Sequence, residues 1–388
     1  MKNTYKKVKL IEIAELNSRQ IDKNFTYKYI QYIDVSSVTK GSINNIQYLK
    51  TTEAPSRAKR LVEKNDILYS TVRPNLEHYV FIKEDLEANT VASTGFVVIT
   101  PKKGFVDPYY LHCLITRPQY TQYLSQIAEQ AVSTYPTITP NVMADLELTL
   151  PPLSEQKRIA NILSSFDNKI EILKKENKIL EDIAQNIFKE WFIKYNFPNK
   201  DGKPYKDNGG QMIDSELGPI PEGCRVGKLG EYFPVTTGKR NANHARENGE
   251  YMFFTCSQDN LLCDEYSFNN GALLLAGNGD FNIKWYKGKF DAYQRTYVLI
   301  PYNQEQLGYL FFLMKHYLSD IIIGNRGSVI SFITKGMIED FTVFIPNEKI
   351  EKQANKVFSS IIQQQAQNDT KINVLTKTKN TLIKDLIK

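Results

Sequence analysis

A chain of 388 residues, 41% of them hydrophobic, is long enough for two or three domains with ample cores. Its four cysteines (Cys113, Cys224, Cys256, Cys263) form no CxxC pair, and with four histidines and no HExxH a metal site is not expected. A net charge of +6 with a pI near 8.8 permits nucleic-acid binding without establishing it, and no apolar run of spanning length or apolar leader core is present, so no membrane segment and a reducing cytoplasm are expected.

Residues 1–150 read as a first globule of mixed α+β type. Lys28–Val35, Asp66–Ser70, Tyr79–Ile82, Gly95–Thr100 and Leu146–Leu150 have strand patterns, with one helical stretch at Pro108–Leu124. Pro151 and Pro152 then bar helix, Ser154 is a candidate N-cap, and a long helix follows within 151–196. Ile159, Leu163, Phe166, Ile170, Leu173, Asn177, Leu180, Ala184, Ile187 and Trp191 recur at steps of four and three, the seam of a coiled coil. Asn177 interrupts that seam with an amide, which predicts a register role. At 1.5 Å per residue the seam extends roughly 50 Å. Residues 197–223 are rich in Pro, Gly and Asn and read as a linker. Residues 224–346 return to strands (Ala272–Leu275, Tyr297–Ile300, Phe341–Ile345) around a helix near Glu305–Leu318, and 347–388 is helical in composition.

A shift of 195 residues superposes the chain on itself. Ser133 falls on Ser328, Ile138-Thr139 on Ile333-Thr334, Asp145 on Asp340, Pro151 on Pro346, and Lys157 on Lys352. The seam carries over too. Leu163 maps to Phe358, Phe166 to Ile361, Leu180 to Leu375, Ile187 to Leu382 and Trp191 to Leu386. Asn177 maps to Ile372, while Ile170 and Leu173 map to Gln365 and Asn368. With gaps, Asp66–Tyr69 resembles Ala272–Leu275. The order is globule, helix, globule, helix. Two long half-apolar helices bury their seams most readily against each other, and antiparallel pairing would give two similar heads on a rod with a pseudo-two-fold axis.

The stretch LPPLSEQKRIANILSSFDNKIEILKKENKILEDIAQNIFKEWF (Leu150–Phe192) closely resembles the central conserved region of specificity (S) subunits of type I restriction–modification enzymes. FPNKDGKPYKDNGG (Phe197–Gly210) and SELGPIPEGCRVGKLGE (Ser215–Glu231) continue the likeness, with Cys224 where the family usually has Trp. The resemblance implies two target recognition domains, each reading half of a bipartite sequence in double-stranded DNA. It implies helices that set the distance between halves and dock two adenine methyltransferase subunits, to which two motor-nuclease subunits add. S-adenosylmethionine, ATP and Mg would then sit on partner subunits, with no cofactor on this chain. Roughly 50 Å of helix corresponds to about 15 base pairs, compatible with two heads separated by unread bases.

Catalytic signatures are missing. Thr237-Gly238-Lys239-Arg240 lacks the earlier glycine and final hydroxyl of a phosphate loop, Gly277-Asn278-Gly279-Asp280 lacks the third glycine of a dinucleotide fingerprint, and no N-P-P-[YF] or D-P-P-[YF] occurs. No catalytic residue is expected. Base readout needs Arg, Lys, Asn, Gln, Ser or Thr on loops, with phosphate contacts holding register. In the first globule the candidates are Ser70, Thr71, Arg73 and Asn75, the loop of Ser133, Thr134 and Tyr135, and the basic group Arg57, Lys59 and Arg60. In the second they are Lys239, Arg240, Asn278, Asp280, Asn282, Arg295, Arg326 and Ser328. Residues 1–150 carry 18 Lys and Arg against 15 Asp and Glu, whereas 201–346 carry 14 against 17, so the chain alone is expected to hold DNA weakly. Two rivals explain part of the pattern: a methyltransferase with a fused recognition domain, opposed by the missing motifs, and a non-DNA coiled-coil adaptor with two interaction heads.

Overall fold

The computed structural model describes residues 5–130, 136–323 and 332–387. The chain divides into two compact units, Met1–Glu171 with Asn373–Lys388, and Ile172–Ile372. Each unit therefore holds a globule together with part of each long helix, a grouping that a linear reading of 1–150 and 224–346 does not express.

The first long helix runs Leu153–Phe188 and the second Glu348–Leu386. Ser154 lies inside the first, not at its cap: the Pro152 carbonyl accepts from the amides of Glu155 and Gln156 at 2.9 and 3.0 Å, so the proline elbow itself opens the helix. Gln156, nearly fully buried, donates to the Pro151 carbonyl and accepts from the Asp107 amide, which ties the elbow to the globule. After Phe188 the helix widens into one π turn, Lys189–Ile193. This turn brings Phe192 as well as Trp191 onto the apolar face, and Phe188 and Phe192 are buried beside the expected seam.

In the first unit, Ile159 and Leu163 are buried in one core with Leu146, Leu148 and Ile387, and Leu382, Ile383 and Leu386 pack against it. Higher up, Asp167 meets Lys379 at 2.6 Å. The helices are thus antiparallel there. In the second unit they are antiparallel again: Asn177 bonds to Asn368 while Phe188 touches the ring of Phe358. Leu173, Ala184 and Phe358 are buried, Ile361 almost so, and Phe166, Ile170, Leu180, Ile187, Trp191, Ile372 and Leu375 are half-buried. Asn177 does not sit idle in this seam. Its Nδ2 donates to Asp369, its Oδ1 accepts from Asn368, and its carbonyl accepts from Gln365.

The globules repeat each other closely at their base. Lys6–Lys9 pairs antiparallel with Glu147–Leu150, and Arg225–Lys228 with Thr342–Ile345. The Leu10 amide donates to Leu146 O and the Leu229 amide to Phe341 O, both at 3.0 Å. Lys9 bridges to Asp145 at 2.8 Å and Lys228 to Asp340 at 2.9 Å. In the first globule one sheet is ordered Gln47–Lys50, Tyr29–Ile33, Thr90–Ser93, Ala58–Leu61, and a second Ala14–Leu16, Phe96–Pro101, Ile67–Ser70, Tyr79–Phe81. The second globule joins the corresponding strands into one six-stranded sheet through the long strands Phe268–Ala276 and Ile283–Ala292. Both contain a parallel pair of strands, Tyr29–Ile33 with Thr90–Ser93 and Tyr251–Phe254 with Ile283–Ala292.

The helical stretch expected at Pro108–Leu124 is two helices, Pro108–Ile115 and Pro118–Gln130, because Pro118 cannot continue the first. Its counterpart Leu307–Ile323 is unbroken. Gly308 lies so close to the second long helix that an added Cβ would come 2.7 Å from the Phe358 backbone, which only glycine avoids.

Candidate nucleic-acid interface

In both units the strand that follows the globule's middle ends in a polar loop, and backbone hydrogen bonds gather neighbouring loops around it. In the first unit the Thr71 amide donates to Gly95 O at 2.8 Å, the Ile138 amide to Thr71 O at 2.9 Å, and the Arg73 amide to Pro136 O at 2.9 Å. The Thr94 amide donates to Arg57 O, which brings Arg57 to the same end. In the second unit the Gly277 amide donates to Arg295 O and the Ile333 amide to Gly277 O, both at 2.9 Å. A bridge joins Val72 to Thr137, and its counterpart joins Asn278 to Phe332. One residue later in order, Arg73 and Gly279 both adopt the left-handed backbone, φ +47° and +73°. The loops are one construction used twice, with different side chains.

The structure sorts the candidate residues. Arg57, Arg73 and Asn75 are exposed at the loop end of the first unit, with the Arg57 guanidinium 3.8 Å from Asp34. Lys59 is exposed on the strand Ala58–Leu61. Three candidates are scaffold instead. Ser70 is buried and exchanges hydrogen bonds with the Val72 backbone, and Thr71 Oγ1 donates to Gly95 O at 2.9 Å. Arg60 turns inward to bond Asn17 Oδ1 and Phe96 O, and burial holds its guanidinium below the usual arginine range. None of these three side chains is presented to a ligand.

In the second unit Lys239, Asp280 and Arg295 are exposed and Asn278 is half-exposed, all at the loop end. Asn282 is buried, and its Nδ2 donates to Cys256 O and Asp280 O. Arg240 is held by the wholly buried Asp291 at 3.0 Å and by Glu265 at 2.8 Å, and its hydrogen bond to Asp291 raises its pKa. It neutralises a carboxylate that burial would otherwise penalise. Ser133, Thr134, Tyr135, Arg326 and Ser328 lie outside the described residues.

Other polar groups at these ends carry no sequence signal of their own. Ser36 and Thr94 are exposed beside Arg57 in the first unit. In the second, Lys284 reaches the Ser257 carbonyl at 2.6 Å and Asn260 Oδ1 at 3.0 Å, and burial lowers its pKa. Only strand register could have placed them there. The arrangement offers exposed hydrogen-bond donors and acceptors along the loop ends. Among the described residues no helix is long and apolar enough to cross a membrane.

The sequence profile of the type I restriction modification DNA specificity domain matches residues 2–182 and again 221–377. The chain is 35% identical over 191 residues to the type I restriction enzyme HindI specificity subunit of Haemophilus influenzae, which covers 49% of this chain and 41% of that protein. To the EcoDI specificity subunit of Escherichia coli it is 42% identical over 130 residues, 34% of this chain and 29% of that protein. These matches span well under two thirds of either relative. The MjaIX specificity subunit of Methanocaldococcus jannaschii aligns at 26% identity over 91% of this chain and 86% of its own. The crystal structure of the type I restriction-modification S subunit from M. genitalium shares the fold, with a TM-score of 0.59 at 16% identity over 100% of this chain and 97% of that one.

Proposed function

The chain belongs to the family of type I restriction–modification DNA specificity domains, and from that premise we propose that it is the DNA sequence-specificity subunit of a type I restriction–modification complex. Residues 1–150 and 224–346 act as the two target recognition domains, each reading one half of a bipartite site in double-stranded DNA. The long helices set the distance between the halves and dock two adenine methyltransferase subunits, which add two motor-nuclease subunits. The chain itself works in the cytoplasm as a non-catalytic targeting subunit. S-adenosylmethionine, ATP and Mg belong to its partners.

The observation that carries this reading is the repeated loop end. The same backbone bonds, Ile138 to Thr71 and Ile333 to Gly277, support two edges whose exposed side chains differ. The first presents Arg57, Arg73 and Asn75, and the second Lys239, Asn278, Asp280 and Arg295. Arg and Lys favour guanine edges, Asn favours adenine, and Asp accepts from cytosine, so two such edges suit two different half-sequences. The phosphate term from these few cations is small, and methyltransferase subunits supply the rest.

The test is methylation-sensitive long-read sequencing of a methylase-free host that expresses the chain with its neighbouring adenine methyltransferase, against the methyltransferase alone. A split motif methylated only when the chain is present is expected. Co-purification of the two proteins without any methylated motif would overturn the proposal.

A further inference from the structure

The two long helices are sequence repeats, so their apolar positions alone would let either pair with a copy of itself. Leu163 matches Phe358 and Leu180 matches Leu375 across the 195-residue shift. The polar positions break this equivalence. In the second unit Asn177 is held on three sides, by Asp369 at 2.8 Å, Asn368 at 2.9 Å and Gln365 at 3.1 Å. Asn368 is wholly buried and Gln365 nearly so. The shift carries Ile170, Leu173 and Lys174 onto Gln365, Asn368 and Asp369. In the first unit Lys379 Nζ lies 2.6 Å from Asp167, yet Ala184 is the repeat counterpart of Lys379 and Ile362 that of Asp167.

We infer that this polar code makes each long helix reject a second copy of itself and accept only the other helix. Suppose another first helix took the second helix's place in the same register. Asn177 would face Ile170 and Leu173 in place of Gln365 and Asn368, and the Asp369 carboxylate that accepts its N–H would be replaced by the Lys174 ammonium, which cannot accept. Asp167 would face Ala184. A pair of second helices has the reverse fault: Gln365 and Asn368 would face Ile372, and Lys379 would face Ile362. Each mispaired layer strips a buried or half-buried amide or charge of its partner across the seam, a loss of about tenfold or more, and the two layers together give roughly 100-fold. The consequence is that the two halves of a molecule stay mated to each other rather than assembling as symmetric pairs of like halves.

The experiment uses the folded full chain with a specific protease site placed in the exposed turn at Ser215–Gly218. Light and isotopically heavy preparations are nicked, mixed and held until light and heavy pieces have scrambled completely, and the pairs are then weighed by native mass spectrometry. Mixed pairs of first and second pieces are expected, with self-pairs below about one in a hundred. Self-pairs near the statistical proportion would overturn the inference. A second chain erases the code by exchanging each polar residue for its repeat counterpart: Asn177→Ile, Gln365→Ile, Asn368→Leu, Asp369→Lys, Asp167→Ile and Lys379→Ala. Its self-pair fraction is expected to rise about tenfold or more. An unchanged fraction in a folded variant would place the selectivity elsewhere and overturn it equally.

Discussion

Lys379→Met in the second long helix removes the cation that faces Asp167. The two side chains are 19% and 21% exposed and 2.6 Å apart, and Asp167 also accepts from the Tyr109 hydroxyl. Removing one partner of a buried pair costs roughly 3–5 kcal/mol, and of an exposed pair about 0–1. At one fifth exposure the expected loss is about 2 kcal/mol. Burial pushes the Asp167 carboxyl up, but the Lys379 charge and hydrogen bond, with the Tyr109 hydroxyl, outweigh it and hold it below its ordinary value. A carboxyl depressed in the folded state gives its full stability above the ordinary value of 3.8 and loses it as pH falls through the folded value. The mutation therefore acts in full at pH 7. Both tryptophans, Trp191 and Trp285, lie in the second unit, so the readout is amide hydrogen exchange of first-unit peptides rather than fluorescence. Lys379→Met should lower their protection by about 2 kcal/mol, whereas Asp167→Leu with Lys379→Met should lose about 1 or less, since a matched apolar pair strands no charge. A double variant less stable than the single would refute this reasoning.

His112 packs among the rings of Tyr79, Phe81 and Tyr109, and burial together with the Lys379 charge lowers its pKa to about 3. Below its ordinary 6.5 the unfolded chain takes a proton that the folded chain refuses, so first-unit stability should fall from pH 7 to pH 5 by about 1–2 kcal/mol, and His112→Phe should flatten that slope in exchange measurements. Arg240→Ala leaves the wholly buried Asp291 without its guanidinium, so a lower urea midpoint for the second unit is expected, read by tryptophan fluorescence. A role confined to DNA contact would leave that midpoint unmoved. Lys239→Ala and Arg295→Ala should each weaken DNA binding by the assembled complex and shallow its salt dependence by about one unit. The isolated chain should not give a nanomolar sequence-specific gel shift, and one that did would show the phosphate contacts to be its own.

The long helices were legible because their apolar residues keep the seam period over many turns, and the proline elbow marks where they start. The π turn was not, since Phe192 stands next to the seam residue Trp191 and the widened backbone of Lys189–Ile193 brings it inward. Apolar strands such as Ile67–Ser70 and Thr342–Ile345 stood out, whereas Lys6–Lys9 and Arg225–Lys228 did not, because each is mostly polar and borders the core as a two-stranded ribbon. Ile283–Ala292 was lost for the same reason, with three lysines and a glycine in its ten residues. At the loop ends residue type alone did not tell which side chains point outward. Ser70, Thr71 and Asn282 look like readout residues by type, yet each satisfies buried backbone groups at a strand end. Arg60 and Arg240 look basic and free, yet one fills a pocket of carbonyls and the other neutralises Asp291. Partners distant in sequence decide such cases.

The central claim is that the two globules read two half-sites independently. Its most direct test replaces residues 1–150 with the corresponding segment of a family member of different specificity, co-expresses the chimera with the methyltransferase in a methylase-free host, and maps methylated adenines by long-read sequencing. One half of the split motif should change while the other half and the spacing between them stay the same. A motif that changes in both halves, or in neither, would contradict the account.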